Sequence, residues 1–272
     1  MTGARLAIAF LLALITAALL VPLLPFDPLA QDVANSLDPP GAAHWFGTDE
    51  LGRDILLRVI YGARTSLLTA AGAVAIAAAI GVPMGLVAGF FGGWRDATLM
   101  RFVDVLMALP GILFAMALIA VLGRSPLAAL VAVGITGIPS FARVTRAEAL
   151  TLRRRDFVLA VEAFGAGAGY SMRRAVLPNA WSPILVQAIV LAAVAILLEA
   201  ALSFLGVGIA PPTPSWGEML RAGKSYLYEA PSYAVLPGLV LTMTILALDT
   251  LGRALARRLA SAGRGTARED GA

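Results

Sequence analysis

The chain has 272 residues, of which 59% are hydrophobic and 14% charged, with a mean hydropathy of +0.84 and a formal net charge of +4. A soluble domain carries about 25% charged residues, so a water-soluble globule is excluded; the apolar excess lies in blocks near the ~20 residues that span a bilayer. The absence of cysteine excludes disulfides and thiolate metal or nucleophile sites, and the positive charge calls for no nucleic-acid partner because its distribution across a membrane accounts for it.

The first apolar run, Leu6 to Leu24, follows Arg5. It exceeds the ~7–15-residue core of a signal peptide and no A-x-A-like site follows, so it reads as a span with a cytoplasmic N-terminus. Residues 25–66 form an external polar segment. Within it, Ile55, Leu56, Val59 and Ile60 recur at helical spacing, which predicts a short helix lying along the interface. His44 is the only histidine; alone it reads as a solvated or interfacial side chain.

A core of membrane-spanning helices is expected over 67–256. Its first span, Leu67 to Phe91, carries Gly81, Gly85, Gly89 and Gly93 at four-residue intervals. Small residues at that spacing let helix backbones approach closely in lipid, and Pro83 can kink the helix. A third span is expected from Val103 to Gly123, with Pro110 inside it. Ser125-Pro126 then starts a fourth that ends near Ala142. Ser182-Pro183 repeats that start for a fifth span reaching Leu205, and Ala234 to Leu255 forms the sixth. A basic cytoplasmic tail is expected over 257–272.

Six spans with both termini inside place one basic residue at the N-terminus, two in the second-to-third turn, seven in the central loop and five from Arg253 onward on the cytoplasmic side. That is fifteen of 21, against six outside. The positive-inside rule selects this orientation.

The central loop, 143–180, is the most distinctive stretch. Arg143, Arg146, Arg153, Arg154, Arg155, Arg173 and Arg174 surround a small amphipathic segment. Asp156 is expected to cap its helix; Phe157, Val161, Phe164 and Ala168 fall on one stripe. Gly165, Gly167 and Gly169 oppose its continuation, and Leu177-Pro178-Asn179 is expected to break the chain again. A short apolar-faced helix held outside the bilayer by arginines needs another protein to dock against.

No catalytic or metal site is expected. Metalloprotease chemistry needs two histidines a turn apart. No phosphate-binding Walker sequence occurs, and the glycines of Gly165-Ala166-Gly167-Ala168-Gly169 have the wrong spacing for a dinucleotide loop. Glu199, Asp249 and the more peripheral Asp104 are the acids nearest the membrane, and they read as structural or cavity-lining groups. The rival function is a secondary transporter that uses Glu199 and Asp249 to couple protons or sodium.

The loop resembles the cytoplasmic signature of inner-membrane permeases of binding-protein-dependent ABC importers, in the dipeptide/oligopeptide/nickel branch. Aligned on Gly165 and Leu177-Pro178, the signature's Glu-Ala-Ala positions fall on Leu159-Ala160-Val161; Leu159 replaces the glutamate and Ala175 a larger apolar residue. Phe46-Gly47-Thr48-Asp49 with Gly52-Arg53-Asp54, Gly89 to Asp96, Glu199 to Gly206 and Pro214-Ser215-Trp216-Gly217 are similar to further stretches of that branch. The resemblance implies an all-α type I importer permease with a five-helix core and one extra N-terminal span. It further implies a second, related permease, two ATP-binding subunits that hold ATP and magnesium in place of this chain, and an external binding protein that delivers substrate. Peptides are the commonest cargo of the branch; nickel chelates and glutathione-like molecules are carried by relatives. The ATPase contact is then expected at Asp156, Phe157, Ala160, Val161, Phe164, Gly165, Leu177 and Pro178.

Overall fold

A computed structural model describes residues 2–269 apart from Leu24 and Phe26, with side chains described only to Leu259 and from Gly3. Leu24, the expected end of the first span, and the last part of the tail therefore lie outside the described residues. All regular structure among the described residues is helical. The helices are α1 (Thr2–Leu20), α2 (Ile55–Phe91), α3 (Gly93–Met107), α4 (Gly111–Leu122) and α5 (Pro126–Leu152), followed by α6 (Asp156–Ala163), α7 (Ala168–Tyr170), α8 (Leu177–Phe204), α9 (Trp216–Gly223) and α10 (Ser232–Glu269).

Five helices are long and apolar enough to cross a membrane, and a sixth crossing results if α3 and α4 count together. That pair is bent by 83°, which corrects the expected straight span from Val103 to Gly123. Two causes are visible in the sequence. Pro110 disfavours the α conformation in the residue before it, and α3 carries Arg95, Asp96, Arg101 and Asp104, too much charge for lipid. The twelve residues of α4 reach only about 18 Å at 1.5 Å per residue, short of the ~30 Å hydrocarbon layer.

Three other boundaries move. The expected interfacial helix at residue 55 is the first turn of α2 itself, which runs unbroken for 37 residues. Ile55, Arg58 and Val59 are buried there, so this turn packs inward instead of floating at the interface. Helix α5 continues ten residues past Ala142, to Leu152. Finally, Ser182-Pro183 starts nothing. Pro178 follows closely on a π-turn at Ser171–Val176, and helical backbone continues from Ala168 through that turn and past the proline to Phe204. Pro183 is absorbed inside α8, as prolines are in membrane helices.

The most extensive packing is between α2 and α5. Gly81, Gly85 and Gly89 form the contact. A Cβ on Gly81 would meet the Ile138 carbonyl oxygen at 2.6 Å; on Gly85, the Ala142 carbonyl oxygen at 2.2 Å; on Gly89, the Arg146 carbonyl oxygen at 2.5 Å. Backbone thus lies on backbone. Gly93 leaves the series: it begins α3 with φ +58° and has nothing within 4 Å of a Cβ. Helix α8 packs on both α2 and α5, α10 closes on α8, and α1 lies outermost against α10 and α2.

Candidate functional site

At one end of the bundle, Arg153 and Arg155 turn the chain after α5, and α6 begins at Asp156. The N-cap is Arg155, and no side chain caps this helix, which corrects the expected Asp156 cap. Asp156 instead places a carboxylate in the first turn, beside the positive end of the helix dipole.

The helix is amphipathic about a different residue from the one the stripe predicts. Val158 is fully buried in a pocket formed by Leu86 and Phe90 of α2, Ala149 of α5, and Ala175 and Val176 of the π-turn. That socket holds α6 to the core by its short side. Phe157 and Leu159 point away, and Phe164 is 93% exposed. Val161 is half-buried, whereas Ala160 and Pro178 are exposed. Three bulky apolar side chains therefore stand on the outer side of an eight-residue helix with nothing over them.

Gly165 terminates α6. Its N–H donates to the Glu162 carbonyl at 2.9 Å and the next N–H, of Ala166, donates to Val161 at 3.3 Å. This is the pair of bonds by which a left-handed residue closes a helix. Gly165 has φ +87°, a conformation costly to any residue with a Cβ. The reversal lets α6 stand out from the bundle as a knob.

The arginines around the knob are only partly free. Arg146 grips Asp96 through two bonds of 2.6 Å, tying α5 to α3, and Arg143 pairs with Asp104 at 2.9 Å. The Arg153 guanidinium lies 5.3 Å from the Phe90 ring centre, and Arg95 lies 4.3 Å from that of Phe91. Arg154, Arg155, Arg173 and Arg174 are exposed.

The two membrane acids have settled partners. Glu199 is fully buried and accepts hydrogen bonds of 2.9 Å from Ser66 of α2 and Ser203 of α8. It is enclosed in the helix packing, the structural one of the two roles expected of it, and not on a cavity wall. Asp249 pairs with Arg253 one turn along α10.

The opposite end holds a network whose two segments the family resemblance marked in the sequence without giving their contact. Asp49, fully buried, accepts from Arg53 Nε at 2.6 Å and from the backbone N–H of Arg53 and Leu51. Arg58, also fully buried, reaches Asp49 at 3.3 Å and Glu218 of α9 at 3.3 Å. Trp216 Nε1 donates to the Val59 carbonyl at 3.0 Å. Burial pushes the Glu218 carboxyl above its ordinary range, opposed by the charges of Arg58 and Arg221. This network locks residues 47–58 to α9. The signals for it were the four-residue spacing of Asp49 and Arg53 and an arginine set in the apolar start of a helix.

Among the described residues, no group of three or more His, Asp or Glu side chains could hold a metal ion. The fold and the knob define a polytopic all-helical membrane protein with an exposed, apolar-sided short helix at one end. More particularly, residues 81–261 match the binding-protein-dependent transport system inner membrane components, and the chain belongs to that family.

Its relatives include the dipeptide transport system permease protein DppC of Alkalihalophilus pseudofirmus, 40% identical across 88% of this chain and 79% of the relative. The di/tripeptide transport system permease protein DppC of Pseudomonas aeruginosa is 40% identical across 93% and 86%. The glutathione transport system permease protein GsiD of Pectobacterium atrosepticum is 39% identical across 86% and 78%. Among solved structures, the inward-facing MetNI methionine ABC transporter matches with a TM-score of 0.57 at 18% identity, covering 74% of this chain and 97% of that one. The last likeness concerns fold alone.

Proposed function

We propose that this chain is one of two permeases that together enclose the translocation path of an ATP-driven importer for di- or oligopeptides. Its named relatives handle dipeptides, tripeptides and glutathione, which supports a short peptide or peptide-like cargo. An external binding protein delivers that cargo, and two ATPase subunits bind ATP and magnesium on the cytoplasmic side. Both termini and the 143–180 loop face the cytoplasm.

The observation that carries this reading is the uncovered apolar face of α6. Phe157, Ala160, Val161 and Phe164 seat in a groove of an ATPase subunit, Asp156 and Gly165 set the ends of the helix, and Leu177-Pro178 stiffens the return. A solvated Phe164 ring is paid for in hydration; burial of such a side chain is worth roughly 1.5–3 kcal/mol. ATP-driven closure of the ATPases then shifts α6 and biases the permease pair between its inward and outward states, which requires that the docked helix distinguish those states energetically.

The test replaces Val161 and Phe164 with aspartate and follows ATPase co-purification and ATP-dependent uptake. Both should fall sharply. Full retention of both would remove the docking claim, and labelling of a cysteine placed at Arg154 from the outer surface would remove the orientation.

A further inference from the structure

Helical backbone runs from Ala168 to Phe204, so Pro178 lies inside a continuous helical stretch. In an α-helix the proline ring collides with the carbonyl four residues back, and the missing N–H leaves that carbonyl without its donor. Here the carbonyl would be that of Arg174. The chain accommodates the ring by widening. Over Ser171–Val176 it forms a π-turn, in which the Leu177 N–H donates to the Met172 carbonyl, five residues back. Just past the proline, the Asn179 side-chain N–H donates to the Ala175 carbonyl at 2.7 Å. The wide turn carries a cost of its own, because the Ser171 hydroxyl is buried in it without a hydrogen-bond partner. Something must therefore hold the turn open, and the proline ring beside it does so.

A π-turn holds one residue more than the α turn it replaces. Closing it to α would rotate everything before it by about 100° against α8 and shift it by about 1.5 Å. Those parts help to build the socket of the knob. Ala168 of α7 and Met172 of the turn pack on the cluster around Val158, while Ala175 and Val176 enter it from the downstream side. Helix α6 rests on the turn itself. A rotation of that size would carry Ala168 and Met172 off the cluster and leave Val158 without one wall.

We propose that Pro178 is a positioning residue. It keeps the turn wide, and the extra residue so accommodated sets the rotational phase of α6 and α7 against α8. The proline acts on the knob from behind, through the Val158 socket, and not by touching a docked partner. Use of the positioned knob as an ATPase contact rests on the function proposed above; the positioning does not.

The chain has no cysteine, so Val158→Cys puts a single thiol in the socket. Labelling with a water-soluble maleimide, on the purified full-length chain in mixed micelles, reports how often the socket opens. Pro178→Ala in that background should let the turn close and speed labelling about tenfold, the scale set by loosening the burial of one Val-sized side chain. Deleting Arg173, an exposed residue of the turn, removes the surplus residue. The Pro178→Ala chain lacking Arg173 should therefore return to the slow rate of its parent. A proline that only stiffens the chain, or that touches a partner, predicts no such rescue. Slow labelling in Pro178→Ala, or a deletion variant that labels as fast as Pro178→Ala, would overturn the proposal. Because the readout is the socket alone, loss of the docking reading in the α6 aspartate variant leaves this result standing, and failure of the rescue leaves docking untouched.

Discussion

Gly85→Ala is the sharpest test of how the bundle is held together. The new Cβ would lie 2.2 Å from the Ala142 carbonyl oxygen, 2.9 Å from the Arg146 nitrogen and 2.9 Å from Thr145 Cβ. Two of those three neighbours are backbone of α5, which cannot swing aside, so the helices must part. Overpacking of this kind costs about 1–3 kcal/mol. Against it stands the helix propensity of alanine, worth about 0.8–1 kcal/mol over glycine, and the net sign is destabilising. Gly72→Ala supplies the control. Its Cβ would also lie 2.2 Å from an atom, but that atom is Leu130 Cδ1, the end of a side chain that can change rotamer. There the propensity gain should survive, leaving stability unchanged or slightly higher. Reversible unfolding of the purified chain in mixed micelles measures both. Equal effects of the two substitutions would refute the claim that backbone contact between α2 and α5 sets the packing.

Three further outcomes are expected. Arg58→Ala leaves Asp49 and Glu218 buried without their shared cation and should cost about 3–5 kcal/mol in the same unfolding assay; a loss below about 1 kcal/mol would mean that the outer network carries no weight. Glu199→Leu takes the acceptor from the Ser66 hydroxyl and leaves Ser203 only the Ile209 N–H it accepts, at about 1–3 kcal/mol for a group left unpaired, whereas Glu199→Gln keeps a partner for both and should leave ATP-driven uptake nearly intact. Uptake abolished by Glu199→Gln in a stably folded protein would favour the proton-coupled rival instead. Gly165→Val forces a branched side chain into a left-handed conformation costing about 1–2 kcal/mol and should weaken ATPase co-purification. Gly165→Asn, which tolerates that conformation better, should restore most of it, and failure of the asparagine to do better than valine would disconnect the turn from the contact.

The five long spans, the glycine face of α2 and the existence of an amphipathic element near residue 160 were legible in the sequence, because each follows from a local pattern. The burial of α6 was not. Periodicity marks a stripe through Phe157, Val161 and Phe164 but cannot say that Val158 is the anchor, since the socket comes from α2, α5 and the π-turn, distant in sequence. Helix ends failed for a related reason. Prolines at 178 and 183 look like breaks when read alone, yet membrane helices absorb them, whereas Pro110 succeeds in breaking because charged α3 cannot continue straight through lipid. The outer network was hidden because its acid on α9 stands 160 residues from its arginine. Family resemblance brought the two segments to notice without giving their contact.

One long helix joins the two ends of the molecule. At 37 residues and 1.5 Å of rise each, α2 measures about 55 Å, and its first turn lies in the Asp49–Arg58 lock while Leu86 and Phe90 near its last turn grip Val158. Such a rod cannot pivot at one extremity and stay still at the other. If α6 docks as proposed, a push on it is felt at the Asp49–Arg58 lock without any relay of side chains between, and the timing of the response there becomes a property of how stiff a single beam is.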